Sequence, residues 1–231
     1  KRCDKHFKYS YNKSSGNSLN PEIVRMLEAQ GAQTPLIKIP TGWLLIKHVD
    51  EILNFIPAKG GKGFKVLVPD VLVTYRLLDQ WNSEGKGNLP IFKDLGKNET
   101  LQAFLKDRKL RDFNVRLQKE EIELSIDSLG NAIDLDENDI IRVPALFEPY
   151  EGYAPALMPN MVNSVYMNGH MLMADPRGPL DAGKDLIQEY MKGLLGREGV
   201  TIHFVDDLAY HNRGGNVHCA TNVTYSFSNA T

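Results

Sequence analysis

The chain has 231 residues, 42% of them apolar and 24% charged, with a formal net charge of −2. That is the composition of a globular chain with material for a sizeable core, and its slight acidity argues against a nucleic-acid polyanion as partner. No apolar run approaches the roughly 18 residues that cross a bilayer, which excludes a membrane partner, and the Lys1-Arg2-Cys3-Asp4-Lys5-His6 start lacks the apolar stretch of a signal peptide.

Phe7–Tyr11 reads as a strand fragment with no partner before it, so the start resembles the interior of a larger unit. Asn20, Pro21 and Glu22 supply a cap, a first-turn proline and an early acid, and Ile23, Met26 and Leu27 keep helical spacing until Gly31. Leu36–Ile39 and Trp43–Ile46, broken by Pro40-Thr-Gly42, predict two short strands in hairpin fashion. His48 falls just past the second. Val49, Ile52, Leu53 and Ile56 suit a short helix closed by Pro57, and a glycine-rich turn leads into a buried strand, Phe64–Val68.

The stretch from Asn98 to Ser128 is charged and helical, carries Leu101, Phe104, Leu105, Phe113, Leu117 and Ile122, and predicts an insertion packed outside the core. Asp139–Val143 and Asn163–Met167 read as strands, Leu186–Leu195 as a helix with one apolar face, and Thr201–Val205 as a strand. The fold class is therefore α/β, and strand, strand, helix, strand recurs without a sequence repeat. No linker divides residues 1–231 into two domains.

Chemistry concentrates near the two ends. Cys219 follows the polar turn Gly214-Gly215-Asn216, His211 and His218 flank that turn, and Arg213 adds a positive charge. This places the thiol on a loop in surroundings that favour thiolate, whereas a structural cysteine needs none of them. His48-Val-Asp50 offers an imidazole and a carboxylate. Whether the strand continues through Asp50 or a helix starts at Val49, Asp50 can grip a guanidinium while His48 reaches its carbon. Asp206-Asp207 reads as a solvated strand end, and Asp134, Asp136, Glu137 and Asp139 as a solvated loop without the spacing of an EF-hand.

In unbroken order, His48-Val-Asp-Glu-Ile-Leu-Asn-Phe-Ile-Pro57-Ala58, Lys62-Gly-Phe64, Asp139-Ile-Ile-Arg-Val-Pro144-Ala-Leu-Phe147, Pro159-Asn-Met-Val-Asn163, Gly178-Pro179, Tyr210-His-Asn-Arg213 and Val217-His-Cys219-Ala-Thr-Asn222 resemble the signature blocks of the protein-arginine deiminases. The likeness runs from Ser14 to Asn222 and covers the carboxyl-terminal part of that family's catalytic domain. It implies the guanidine-modifying, pentein-type propeller of ββαβ modules around a substrate tunnel, with about three of the five modules in this chain. The activity implied is hydrolysis of peptidyl arginine to peptidyl citrulline and ammonia. Cys219 would be the nucleophile, His48 the general acid/base, Asp50 one of two carboxylates holding the guanidinium, and Arg213 a contact to the substrate backbone. Trp43, just ahead of the histidine, reads as packing.

The departures carry expectations too. The family's other guanidinium-binding carboxylate and its catalytic-domain calcium ligands lie upstream of anything in this sequence, so calcium is an implied cofactor held outside this chain. An amino-terminal chain of the same enzyme is the expected partner, making these residues one part of a split or nicked enzyme. A guanidinium is best held by bidentate pairs, and losing one buried charge-assisted contact costs about 2–5 kcal/mol, so the chain alone should bind arginine poorly. Lys47 stands where the family usually has glycine, and Gly214 and Asn216 replace a histidine and a glutamate. One alternative is a deiminase or amidinotransferase for small guanidines such as free arginine or agmatine; another is a non-catalytic binding or regulatory fragment.

Two cysteines make no disulfide framework, while Asn-x-Ser/Thr acceptors at Asn12, Asn98, Asn222 and Asn229 exceed chance and point to an extracellular, secreted protein. A cytoplasmic location, that of the family's vertebrate members, is the alternative. Asn12 and Asn98 are the glycosylation candidates, because Asn222 would be buried in the tunnel wall.

Overall fold

The computed structural model describes residues 20–31, 36–96 and 99–222. Cys3, Phe7–Tyr11, Asn12, Asn98 and Asn229 lie outside the described residues. The first helix, α1 (Pro21–Ala29), starts as its sequence dictates: the Asn20 side chain accepts the Glu22 amide at 2.8 Å, with proline in the first turn. None of its residues is buried, and Ile23 and Met26 are exposed.

The hairpin predicted at Leu36–Ile46 does not form. Trp43 and Leu44 are buried within turns, where the Trp43 carbonyl accepts the Ala154 amide at 2.9 Å and its ring meets Phe147 edge-on at 5.3 Å. The segment closes a local turn, with the Leu44 amide donating to the Thr41 carbonyl at 3.1 Å, and otherwise bonds to a distant loop instead of pairing as strands. The helix expected from Val49 shrinks to one 3₁₀ turn, Val49–Glu51. Strand pairing wins beyond it: β1 (Asn54–Pro57) runs antiparallel to β2 (Phe64–Asp70), from Asn54 opposite Leu67 to Pro57 opposite Phe64.

Next, α2 (Val71–Trp81) crosses over, and β5 (Ile140–Pro144) pairs parallel with β2, completing a ββαβ module with strand order β1-β2-β5. Asp70 ends β2 and caps α2 by accepting the Val73 amide at 2.7 Å, so one residue turns strand into helix. Between α2 and β5 the chain inserts a two-stranded hairpin, β3 (Pro90–Ile91) with β4 (Glu99–Thr100), and three helices, α3 (Leu101–Phe104), α4 (Arg108–Leu117) and α5 (Glu123–Ile133).

The insertion is not packed outside the core. Leu101, Phe104, Leu117 and Ile122 are buried within the main apolar cluster, and Phe104, 2% exposed, meets Phe92 edge-on at 4.9 Å. Buried amides stitch it in. Gln118 accepts the Val71 amide at 2.9 Å, and Asn114 exchanges hydrogen bonds with the Phe147 carbonyl (2.8 Å) and amide (2.9 Å). A primary amide matches a peptide group donor for acceptor, so both partners are satisfied away from water.

The second sheet repeats the topology. β6 (Val165–Met167) runs antiparallel to β7 (His170–Ala174), and β10 (Thr201–Val205) lies parallel to β7 beyond a small hairpin, β8 (Leu180–Asp181) with β9 (Lys184–Asp185), and α6 (Leu186–Gly196). Asp185 repeats the capping role, accepting the Ile187, Gln188 and Gly178 amides. A short helix, α7 (Leu208–His211), follows. Met171, Met173, Ile187, Met191 and Leu195 are fully buried, each contributing about 1.5–3 kcal/mol of transfer free energy. Two complete ββαβ units thus lie within the described residues; N-terminal to Asn54 the described chain holds α1 and turns but no strand of a third. Among the described residues no helix is long and apolar enough to cross a membrane.

Candidate active site

Each module is entered through an irregular segment, and these segments build the site. The first runs from Lys47 to Leu53. Lys47 takes a left-handed backbone conformation (φ 69°), its carbonyl accepts the Thr41 hydroxyl at 2.9 Å, and its ammonium lies 4.9 Å from the centre of the Tyr153 ring. This is the conformation glycine adopts freely, the residue expected here. The His48 amide donates to the Glu51 side chain at 2.9 Å, closing the turn that presents His48 and Asp50 together. Glu51 is 8% exposed, and burial pushes its carboxyl up to about 7.

The Cys219 loop follows α7. Gly214 has a left-handed backbone (φ 84°), and a Cβ added there would meet Ile46 Cδ1 at 2.9 Å, so a side chain at this position would be strained and would displace Ile46. A single 3₁₀ turn, His218–Ala220, then presents an exposed Cys219. The second module's entry segment, residues 159–164, bridges the other two. Asn160 Nδ2 donates to the Glu51 carbonyl at 2.7 Å, and the Asn160 main-chain N–H donates to Asn216 Oδ1 at 3.1 Å. Asn163 accepts the Cys219 amide (3.2 Å), donates Nδ2–H to Cys219 Sγ (3.3 Å), and its carbonyl accepts the His218 amide (3.2 Å).

The result is a convergence of residues far apart in sequence. One ring nitrogen of His48, one oxygen of Asp50 and Cys219 Sγ lie within 4.8 Å of one another, and Cys219 Sγ is 3.9 Å from Asp50 Oδ2. Sequence reasoning gave His218 only a flanking role; its Nδ1 lies 2.6 Å from Asp50 Oδ2. Asp50 Oδ1 is buried and has no hydrogen-bond partner among the described residues. The site therefore gathers a thiol, an imidazole and a carboxylate with one oxygen left without a donor among the described residues. Sequence reasoning missed the roles of Asn160, Asn163 and Asn216. The available signal was a pair of amides bracketing Met161-Val162 in an apolar loop.

Other candidates fall elsewhere. Arg213 is exposed, with Nη1 donating to the Ala209 carbonyl at 3.1 Å. Burial lowers the pKa of His211, whose ring bonds the Leu157 main chain. Asp207 is not a solvated strand end: it is buried, accepts Asn216 Nδ2 at 2.8 Å, and burial raises its pKa. The acidic loop is solvated at Asp134, Asp136 and Glu137, which are exposed, but not at Asp139. Asp139 is buried and caps the Asp136 amide at 3.1 Å, while Glu137 pairs with Arg142 at 3.2 Å. Calcium takes about six to eight oxygen ligands, whereas the acidic side chains are spent on caps and ion pairs and the His48, Asp50, Cys219 set mixes nitrogen, oxygen and sulfur. Neither group fits calcium. Asn222, expected to be buried, is exposed.

A protein-family model described as Protein-arginine deiminase (PAD) matches residues 5–229. The chain is 33% identical over 220 residues to protein-arginine deiminase type-4 of Rattus norvegicus, covering 92% of this chain and 33% of that protein. It is 33% identical over 217 residues to the type-1 protein of Homo sapiens, covering 93% and 32%. It thus spans about a third of the length of these relatives. Among solved structures, an agmatine deiminase of C. jejuni aligns with a TM-score of 0.46 and 14% identity, covering 88% of this chain and 47% of that one. With its repeated ββαβ unit, its gathered thiol, imidazole and carboxylate, and a family model matched along nearly its whole length, the chain belongs to the protein-arginine deiminase family.

Proposed function

We propose that this chain carries the nucleophile side of a hydrolase that converts peptidyl arginine to peptidyl citrulline and ammonia. The supporting observation is the gathering of Cys219 Sγ, a His48 ring nitrogen and an Asp50 oxygen within 4.8 Å. Cys219 thiolate attacks the guanidinium carbon, and His48 protonates the departing nitrogen so that ammonia leaves a thiouronium. Water, deprotonated by the same imidazole, adds to that carbon, and the sulfur departs to leave citrulline. Asp50 holds the guanidinium, with Oδ1 as its open acceptor.

A planar, permanently charged guanidinium needs a second carboxylate. That group, and any calcium that organises it, comes from an amino-terminal chain of the same enzyme. To Arg213, exposed after α7, we assign contact with a substrate backbone, a role that favours a peptide over agmatine. In the assembled enzyme, Cys219→Ser lowers citrulline production from an arginine peptide by roughly a thousandfold or more. Undiminished turnover would overturn the reading. Comparing a peptide, a blocked arginine ester, free arginine and agmatine ranks the substrates, and faster turnover of the free compounds would reassign the substrate class.

A further inference from the structure

We propose that Asn163 sustains the Cys219 thiolate by aiming a fixed side-chain N–H at the sulfur; the proposal rests on reading Cys219 as the nucleophile. The exposed sulfur has a carboxylate oxygen, Asp50 Oδ2, 3.9 Å away, and a neighbouring anion disfavours a second negative charge. A donor on the other side is what the ionised form requires. Asn163 Nδ2 supplies it at 3.3 Å.

The orientation of that amide is dictated by its surroundings. The Cys219 main-chain N–H can only donate, so the group facing it at 3.2 Å must be Oδ1, which turns Nδ2 toward the sulfur. The side chain is also immobilised. Asn163 is 1% exposed, and the carbonyls on either side of it, Val162 and Ser164, both accept from Asn54 Nδ2, at 2.9 and 2.7 Å. A donor fixed in this way needs no reorganisation when charge develops on the sulfur. As a thiol, Cys219 can point its proton toward Asp50; as a thiolate, it accepts from Asn163. The proton leaves to solvent or to His48, and no other bond changes.

A role confined to holding the loop would need only Oδ1 and the Asn163 carbonyl. Asn163→Asp separates the two roles, since it keeps an oxygen for the Cys219 amide and removes the donor to sulfur. The readout is the rate of Cys219 alkylation by iodoacetamide in the native protein, followed on the Cys219 peptide by mass from acid to alkaline pH. For Asn163→Asp and Asn163→Leu the inflection moves up by about one pH unit, giving about tenfold slower alkylation at neutral pH with the alkaline plateau retained. Variant curves that overlay the unaltered protein overturn the proposal. If the variants do not fold, the unaltered protein decides: the Asn163 side-chain amide resonances must titrate with the alkylation inflection, and flat resonances overturn it. Alkylation involves no arginine substrate, so its outcome is separate from the Cys219→Ser citrulline assay. An inactive Cys219→Ser enzyme with overlaid alkylation curves sinks this inference alone.

Discussion

The two modules share a topology and an aspartate-capped crossover helix, yet their entry segments are built from different chemistry. Residues 47–53 carry His48 and Asp50 together with a left-handed Lys47 and a buried Glu51 carboxyl. Residues 159–164 carry neutral amides: none has a positive φ, and Asn160 and Asn163 are hydrogen-bonded through both side-chain atoms. Reactive groups sit on the costly segment, and the satisfied one holds them in register. The crossovers differ as well. The second module returns from α6 to β10 directly, whereas the first spends residues 82–139 on a detour that enters the core.

Phe104→Ala tests that detour most severely. Were the insertion an appendage, little stability would be lost; packed as it is against Phe92 and Tyr75, the truncation should cost about 3–5 kcal/mol in denaturant melts at unchanged m-value. Glu51 comes next. Its folded value of about 7 exceeds its ordinary 4.5, so the neutral acid is the form the fold favours: that contribution is complete below pH 4.5 and is lost as pH rises through about 7. Glu51→Gln keeps an acceptor for the His48 amide, so it should raise stability at mildly alkaline pH by up to about 3 kcal/mol and flatten the stability–pH curve across that window. A residual slope from Asp185, which burial raises from 3.8 to about 6, should remain in the second module. The smallest effect is expected at Lys47→Gly. Relief of the left-handed strain should gain about 1 kcal/mol, less what the contact with the Tyr153 ring contributes, read as a shifted urea midpoint.

Where one strong pattern governed a segment, the sequence was readable. Phe64–Val68 and the α6 stripe became the elements expected because each buries an apolar set against its neighbours, while Thr201–Val205, which buries only Ile202, is held as a strand by its parallel ladder with β7. Trp43–Ile46 and Val49–Ile56 have the same apolar content but are governed by partners distant in sequence: Ala154 takes the Trp43 carbonyl, and β2 draws Asn54–Pro57 into a sheet. Cys219, His48 and Asp50 stood out because titratable groups in a glycine-rich or strand-end context are chemically conspicuous. Asn160, Asn163 and Asn216 did not. An uncharged amide leaves no periodic or electrostatic trace, and its importance comes from which backbone groups the tertiary fold leaves for it to satisfy.

Asp50 shows what this division achieves. Its Oδ2 is held by His218, while Oδ1 is kept dry and without a donor among the described residues. Stripping water from that oxygen is done when the chain folds, so an arriving N–H meets no hydration shell to displace. A forked, planar cation that delivers one N–H there and a second to another acceptor gains both contacts at once, whereas a hydrated lysine ammonium must shed its own water to make one. On the role proposed for Asp50, discrimination between the two cations begins at a single oxygen atom.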